Sequence, residues 1–132
     1  MKPKILVVED DPEIANILTY LLEHDGYDIT LLTDGRDAYK LITKEPAEGD
    51  PGPPDVALLD IMLPHVDGIQ LCTAIKASPV WKNVPVVILT AKTQDFTVSF
   101  AMRAGADDYI IKPFSPTDVL TRLKSVRGLS AE

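Results

Sequence analysis

The sequence predicts an α/β fold: an open parallel sheet with helices on both faces. Two observations carry this expectation. Five short apolar runs recur along the 132 residues, most of them β-branched or leucine-rich without polar alternation. Such runs suit strands covered on both faces. Segments with helical spacing separate them, so strand and helix alternate five times. The length fits one compact domain with a single core. Right-handed crossovers then bring all strand C-termini to one edge, where ligands of such folds bind.

Each element has its own local signal. The expected strands are Ile5–Val8, Ile29–Leu32, Val56–Leu59, Val86–Leu89 and Tyr109–Ile111. The first helix is predicted in "PEIANILTYLLEHDGY", with Ile14, Ile17, Leu18, Leu21 and Leu22 on one stripe. Asp11 caps it, Pro12 takes its first position and Gly26 lies beyond its end. The second, "DGRDAYKLIT", turns Ala38, Leu41 and Ile42 inward, and "GIQLCTAIKAS" does so with Ile69, Leu71, Cys72 and Ile75. "TQDFTVSFAMRAG" is the weakest helix, being β-branched in its middle. "SPTDVLTRLKSVRG" is the last, with Ser115 as cap and Val119, Leu120, Leu123 and Val126 as stripe, and a short tail over 128–132 beyond it. Residues 44–55, "KEPAEGDPGPPD", interrupt the rhythm with four prolines and two glycines. They exclude a regular helix and read as an extended surface loop opposite the strand C-termini. Loops accept such length cheaply.

The bulk chemistry narrows the function. A net charge of −7 argues against direct nucleic-acid binding, which needs a basic surface. Cys72 is alone, so an intrachain disulfide is excluded and a reducing cytoplasm is the simplest setting. No apolar run approaches the ~18 residues that span a bilayer. No GxxxxGK[ST] or GxGxxG segment supports nucleotide binding.

The residues at the strand ends are more telling. Glu9, Asp10 and Asp11 come after the first strand, Asp60 after the third, Thr90 after the fourth, Lys112 and Pro113 after the fifth. In a parallel sheet these meet at one rim. Crowded carboxylates there make a site for a hard cation with oxygen ligands, such as Mg²⁺, which offsets their repulsion. A lysine and a hydroxyl beside them suit a phosphoryl oxygen. An aspartate near the ion is a nucleophile toward phosphorus. The residues therefore read as Mg²⁺-assisted phosphoryl transfer to a carboxylate. Taken singly each has an ordinary role, and Asp11 reads as a helix cap. Their gathering after four strands is what chance explains poorly. His24 and His65 are too scattered for a ligand motif and read as surface or loop residues. Asp67 reads as the turn or cap before the third helix, and Trp81 as a cover for the sheet before the fourth strand.

In "ILVVEDDP", "VALLDIMLPHVDG", "VPVVILTAK" and "AGADDYIIKPF", in that order, the chain resembles the receiver domain of two-component response regulators, from about Lys4 to Val126. The resemblance implies a single flavodoxin-like domain over 1–132 with strand order 2-1-3-4-5. It implies that Asp60 is the phosphoacceptor, served by a histidine kinase or histidine phosphotransfer protein. Mg²⁺, or Mn²⁺ in its place, would be held by Asp10 directly, by Glu9 through water, by Asp60 and by the Met62 backbone carbonyl. Lys112 would pair with the phosphate, Thr90 would be the switch hydroxyl, Tyr109 the aromatic that turns with it, and Lys112–Pro113 a cis peptide. The chain would be a switch rather than an enzyme. Its last two helices and last strand would form the changing face, a surface for dimerisation or for a downstream protein.

The chain departs from the pattern in three places, and two further residues flank the reacting group. Glu9 stands where aspartate is frequent, and His65 where a small residue is frequent. The loop about 45–54 is long. Bulky Met62 and Lys92 flank the path of an attacking water. Two other classes compete: a pseudo-receiver that binds without phosphorylation and usually lacks the acids or the lysine, and a haloacid-dehalogenase-like phosphatase. The latter places nucleophile and second acid after the first strand, unlike Asp60. The resemblance leaves open a stand-alone receiver, with a protein contact as output, or a piece of a longer regulator.

Overall fold

The computed structural model describes residues 2–91 and 95–130, with backbone alone for 95, 96, 129 and 130. Its elements are β1 (Lys4–Val8), α1 (Pro12–His24), β2 (Asp28–Leu32), α2 (Gly35–Thr43), β3 (Val56–Asp60), α3 (Gly68–Ala77), β4 (Val86–Thr90), α4 (Asp95–Arg103), β5 (Asp108–Ile111) and α5 (Pro116–Ser130). The strands form one parallel sheet in the order β2-β1-β3-β4-β5, the flavodoxin-like arrangement.

Alternation along the strands divides the core in two. Leu6, Val8, Ala57, Leu59, Val86 and Ile88 pack with Ala38, Ile42, Leu71, Ile75 and Ala101 of α2, α3 and α4. Ile5, Val7, Val56, Leu58, Val87 and Leu89 pack with Leu18 and Leu22 of α1 and Val119, Leu123 and Val126 of α5. Both faces of β3 and β4 are thus buried, which is why their sequences show no polar alternation.

Three expectations shift. Ile17 is 53% exposed. At 3.6 residues per turn it lies roughly a quarter-turn from the stripe centred on Leu18, and Ala15 takes the inward place. Asp60 and Thr90 are the last residues of β3 and β4, paired with Leu89 and Ile111, rather than the first beyond them. The last helix runs through Gly128 to Ser130, so 128–130 are not a tail. Gly128 lacks the positive φ by which glycine ends a helix, and glycine inside one costs only about 1 kcal/mol.

The caps agree with the sequence. Asp11 accepts from the amides of Glu13 and Ile14, and Asp67 forms a capping box with Gln70. Ser115 Oγ accepts from Asp118 N at 3.1 Å. Residues 44–55 form an irregular loop leading into the N-terminus of β3. Asp50 folds it locally, accepting from Ala47 N at 2.7 Å and from Lys44 Nζ at 3.3 Å. Asp55 then joins it to β1 by accepting from Lys4 N at 2.7 Å. Trp81 is buried where this loop meets α2.

Candidate metal centre at the carboxyl edge of the sheet

The parallel register carries four strand ends to one rim. Glu9 and Asp10 lie just past β1, Asp60 ends β3, Thr90 ends β4 and Lys112 lies just past β5. Glu9, Asp10 and Asp60 each offer an oxygen, and these lie within 4.8 Å of one another. Glu9 and Asp60 are buried, and Asp10 is exposed, so the group opens to solvent on one side. Asp11 is the third acid of the run, and its carboxylate is engaged in capping α1 instead.

Backbone contacts fix the positions. Glu9 N donates to Leu32 O at 3.1 Å, and Ile61 N to Leu89 O at 3.0 Å. Lys112 N donates to Thr90 O at 2.7 Å, and the Lys112–Pro113 peptide is cis. The Lys112 ammonium reaches back under the acids. It donates to Asp60 Oδ2 at 3.0 Å and lies 2.9 Å from Glu9 Oε1. The second contact is an ion pair without hydrogen-bond angles. Among the described residues Glu9 Oε1 is therefore a buried oxygen with no hydrogen-bond donor. Met62 N donates to Asp60 Oδ1 at 3.2 Å, while the Met62 side chain is 76% exposed.

Electrostatics show the strain of this packing. Burial first, then the neighbouring Asp60, pushes the Glu9 carboxyl up to about 7 despite the opposing Lys112 ammonium. Burial alone would lower the pKa of Lys112, but its contacts with Glu9 and Asp60 outweigh that and raise it. Among the described residues Lys112 pairs with Glu9 and Asp60, and Asp10 adds a third carboxylate beside them. An oxygen-liganded divalent cation fits both the donor set and the uncompensated charge.

Not every singled-out residue joins the group. Thr90 is buried at the rim. Tyr109 lies beside Ile88 on β5, partly buried against the α2–α4 side, with the Arg122 guanidinium 5.7 Å from its ring. Lys92 falls outside the described residues. His24 stacks on Tyr20 with centroids 4.0 Å apart. His65 lies 3.4 Å from Asp34 at the cap of α2, a contact between two loops that periodicity does not reveal. The left-handed φ of 70° at His65 accounts for the small residue expected there.

Comparison with known proteins points one way. Residues 5–124 match the family model described as the response regulator receiver domain. The chain is 40% identical to the alkaline phosphatase synthesis transcriptional regulatory protein PhoP of Bacillus subtilis, covering 96% of this chain and 49% of that protein. It is 38% identical to the DNA-binding response regulator MtrA of Mycolicibacterium smegmatis, covering 95% of this chain and 50% of that protein. The chain therefore spans about half the length of these relatives. A crystal structure of a putative response regulator from Chloroflexus aurantiacus superposes with a TM-score of 0.86 at 30% identity, covering 97% of this chain and 99% of that one. The receiver domain of a sensor histidine kinase from Pseudomonas aeruginosa, with a magnesium ion in its active site cleft, gives 0.84 at 29% identity and the same coverage.

Proposed function

The chain belongs to the response regulator receiver family, and from that premise we propose that it is a phosphorylation switch whose acceptor is Asp60. The observation that carries the proposal is the contact of the Lys112 ammonium with Asp60 Oδ2 at 3.0 Å, in a group where Glu9 and Asp10 also converge. Asp60 Oδ1 is steered by the Met62 amide, and Lys112 supplies the fixed positive charge that a phosphoryl oxygen needs. An Asp60 oxygen attacks phosphorus, and the P–N bond of a donor phosphohistidine breaks. The imidazole leaves as a neutral ring once protonated. Asp10, Asp60 and the Met62 carbonyl would hold Mg²⁺, with Glu9 acting through water. When bound, the ion neutralises charge on the transferring phosphoryl oxygens.

The output is a consequence of the charge. Phosphorylation places about two negative charges at Asp60. Thr90 and Lys112 close on them, Tyr109 turns into the vacated space, and the face of α4, β5 and α5 changes by population shift. Its reader is a downstream protein, a second copy or an attached output domain. A pseudo-receiver would not require this full set of acids and lysine.

Incubation with acetyl phosphate and Mg²⁺ tests the reading. One base-labile phosphoryl group per chain is expected by intact-mass measurement, absent from Asp60→Asn. No adduct on the wild-type chain favours the pseudo-receiver, and turnover of phosphate esters favours the phosphatase.

A further inference from the structure

His65 adopts φ 70°, a region that non-glycine residues enter at a cost, yet its side chain is 49% exposed, so burial does not hold it there. The positive φ belongs to a tight turn closed by Val66 N donating to Pro64 O at 2.8 Å, and that turn places His65 Nδ1 3.4 Å from Asp34 Oδ2. Asp34 is itself anchored. Its Oδ1 accepts from Arg36 N at 2.7 Å, and its Oδ2 from Arg36 Nη2 at 3.3 Å. The same junction touches the loop again. A Cβ on Gly35 would collide with Val66 O, so the start of α2 abuts that backbone directly. Two residues before Asp34, Leu32 O accepts from Glu9 N at 3.1 Å. One short connection thus braces both Glu9 and the loop that leaves Asp60.

We propose that His65, anchored on Asp34, is a positioning residue that holds the loop following Asp60, which carries the Met62 carbonyl. The inference rests on the phosphoacceptor reading and adds to it the means by which this chain sets its loop. Within the loop, Met62 N donates to Asp60 Oδ1, Leu63 N and Gly68 N donate to Ile61 O, both at 3.1 Å, and Val66 N donates to Pro64 O at 2.8 Å. The His65–Asp34 contact adds a side-chain link from this turn to the cap of α2.

Two variants on different elements test it. His65→Asn tolerates a left-handed φ but lacks the ring, and Asp34→Ser keeps a capping oxygen without the carboxylate. The readouts are amide exchange at Met62 and Val66 in metal-free protein, Mg²⁺ affinity by calorimetry, and thermal melts. Each variant should exchange faster at both amides and bind Mg²⁺ about three-fold more weakly, the change an exposed pair supports. The double variant should be no weaker than either single one. Unchanged exchange and affinity, or effects that simply add, would overturn the assignment. A lower melting temperature alone, with affinity intact, would also overturn it by showing a merely structural contact. Failure of the wild-type chain to label from acetyl phosphate would sink the phosphoacceptor reading alone, because the exchange measurement needs neither phosphate nor metal.

Discussion

Glu9 has no accessible surface, and the single ammonium beside it is shared with Asp60. Its carboxyl is raised from 4.5 to about 7, so between those values the folded chain holds a proton that the unfolded chain releases. The stability from this group is fully present below about pH 4.5 and is lost as pH rises through 7. Lys112 does not offset the loss, since its raised pKa keeps it charged throughout that window. Melting temperatures of metal-free protein should therefore fall between pH 5 and 8 relative to Glu9→Gln, and a parallel course for the two would contradict it. Mg²⁺ favours the ionised form, so the rise in melting temperature that it gives should grow across the same interval. Met62 invites a second measurement. Its side chain is 76% exposed, two residues past the proposed acceptor. A bulky apolar group there would hinder an attacking water. Met62→Asn should shorten the lifetime of the aspartyl phosphate several-fold, and an unchanged lifetime would dismiss that role.

At the scale of elements, the local signals in the sequence were strong wherever one element settles its own geometry. Asp67 is an example: it accepts from Gln70 N at 2.8 Å while Gln70 Oε1 accepts from Asp67 N at 3.0 Å. Asp67→Ala should cost about 1 kcal/mol, read as a fall of about 4 °C in melting temperature for a domain of this size. An unchanged melt would show that packing alone starts α3. The buried strands and the caps of α1 and α3 were legible for this reason, because apolar runs and capping residues act over a few neighbours. The rim was legible because parallel topology turns distant strand ends into neighbours. Ile17 was misplaced because an apolar residue at the border of a stripe reads as inward until the facing strand is known. The pairing of His65 with Asp34 was invisible, since no periodicity links two loops. The ion pair of Lys112 with Glu9 was also unforeseen, because the lysine was expected to await a phosphate.

Across the whole molecule the sheet separates two edges with different tasks. The acids, Thr90 and Lys112 occupy the carboxyl edge, and the proline-rich loop occupies the other. The five residues of β3 span about 16 Å between them. That exceeds the screening length of about 8 Å at physiological salt, so Lys44, Glu45, Glu48 and Asp50 exert little field on the rim. Nor does packing offer an obvious lever, because the intervening strands are buried on both faces and fixed in register. The loop's task is then local. Pro51 and Gly52 line one cleft with Leu41 and Trp81, beside the buried indole. Replacing residues 46–53 by a short glycine-serine linker would remove that cover. Shortening the connection recovers only about 1 kcal/mol of closure entropy, against the exposure of an indole worth about 2 kcal/mol. The truncated chain should melt a few degrees lower, and its tryptophan emission should shift to the red. Its Mg²⁺ affinity and its labelling rate with acetyl phosphate should both stay within about five-fold of the parent, below the range typical of coupled sites. A larger loss at the rim, with the melt unchanged, would mean that the two edges communicate through the sheet and that the loop is regulatory rather than protective.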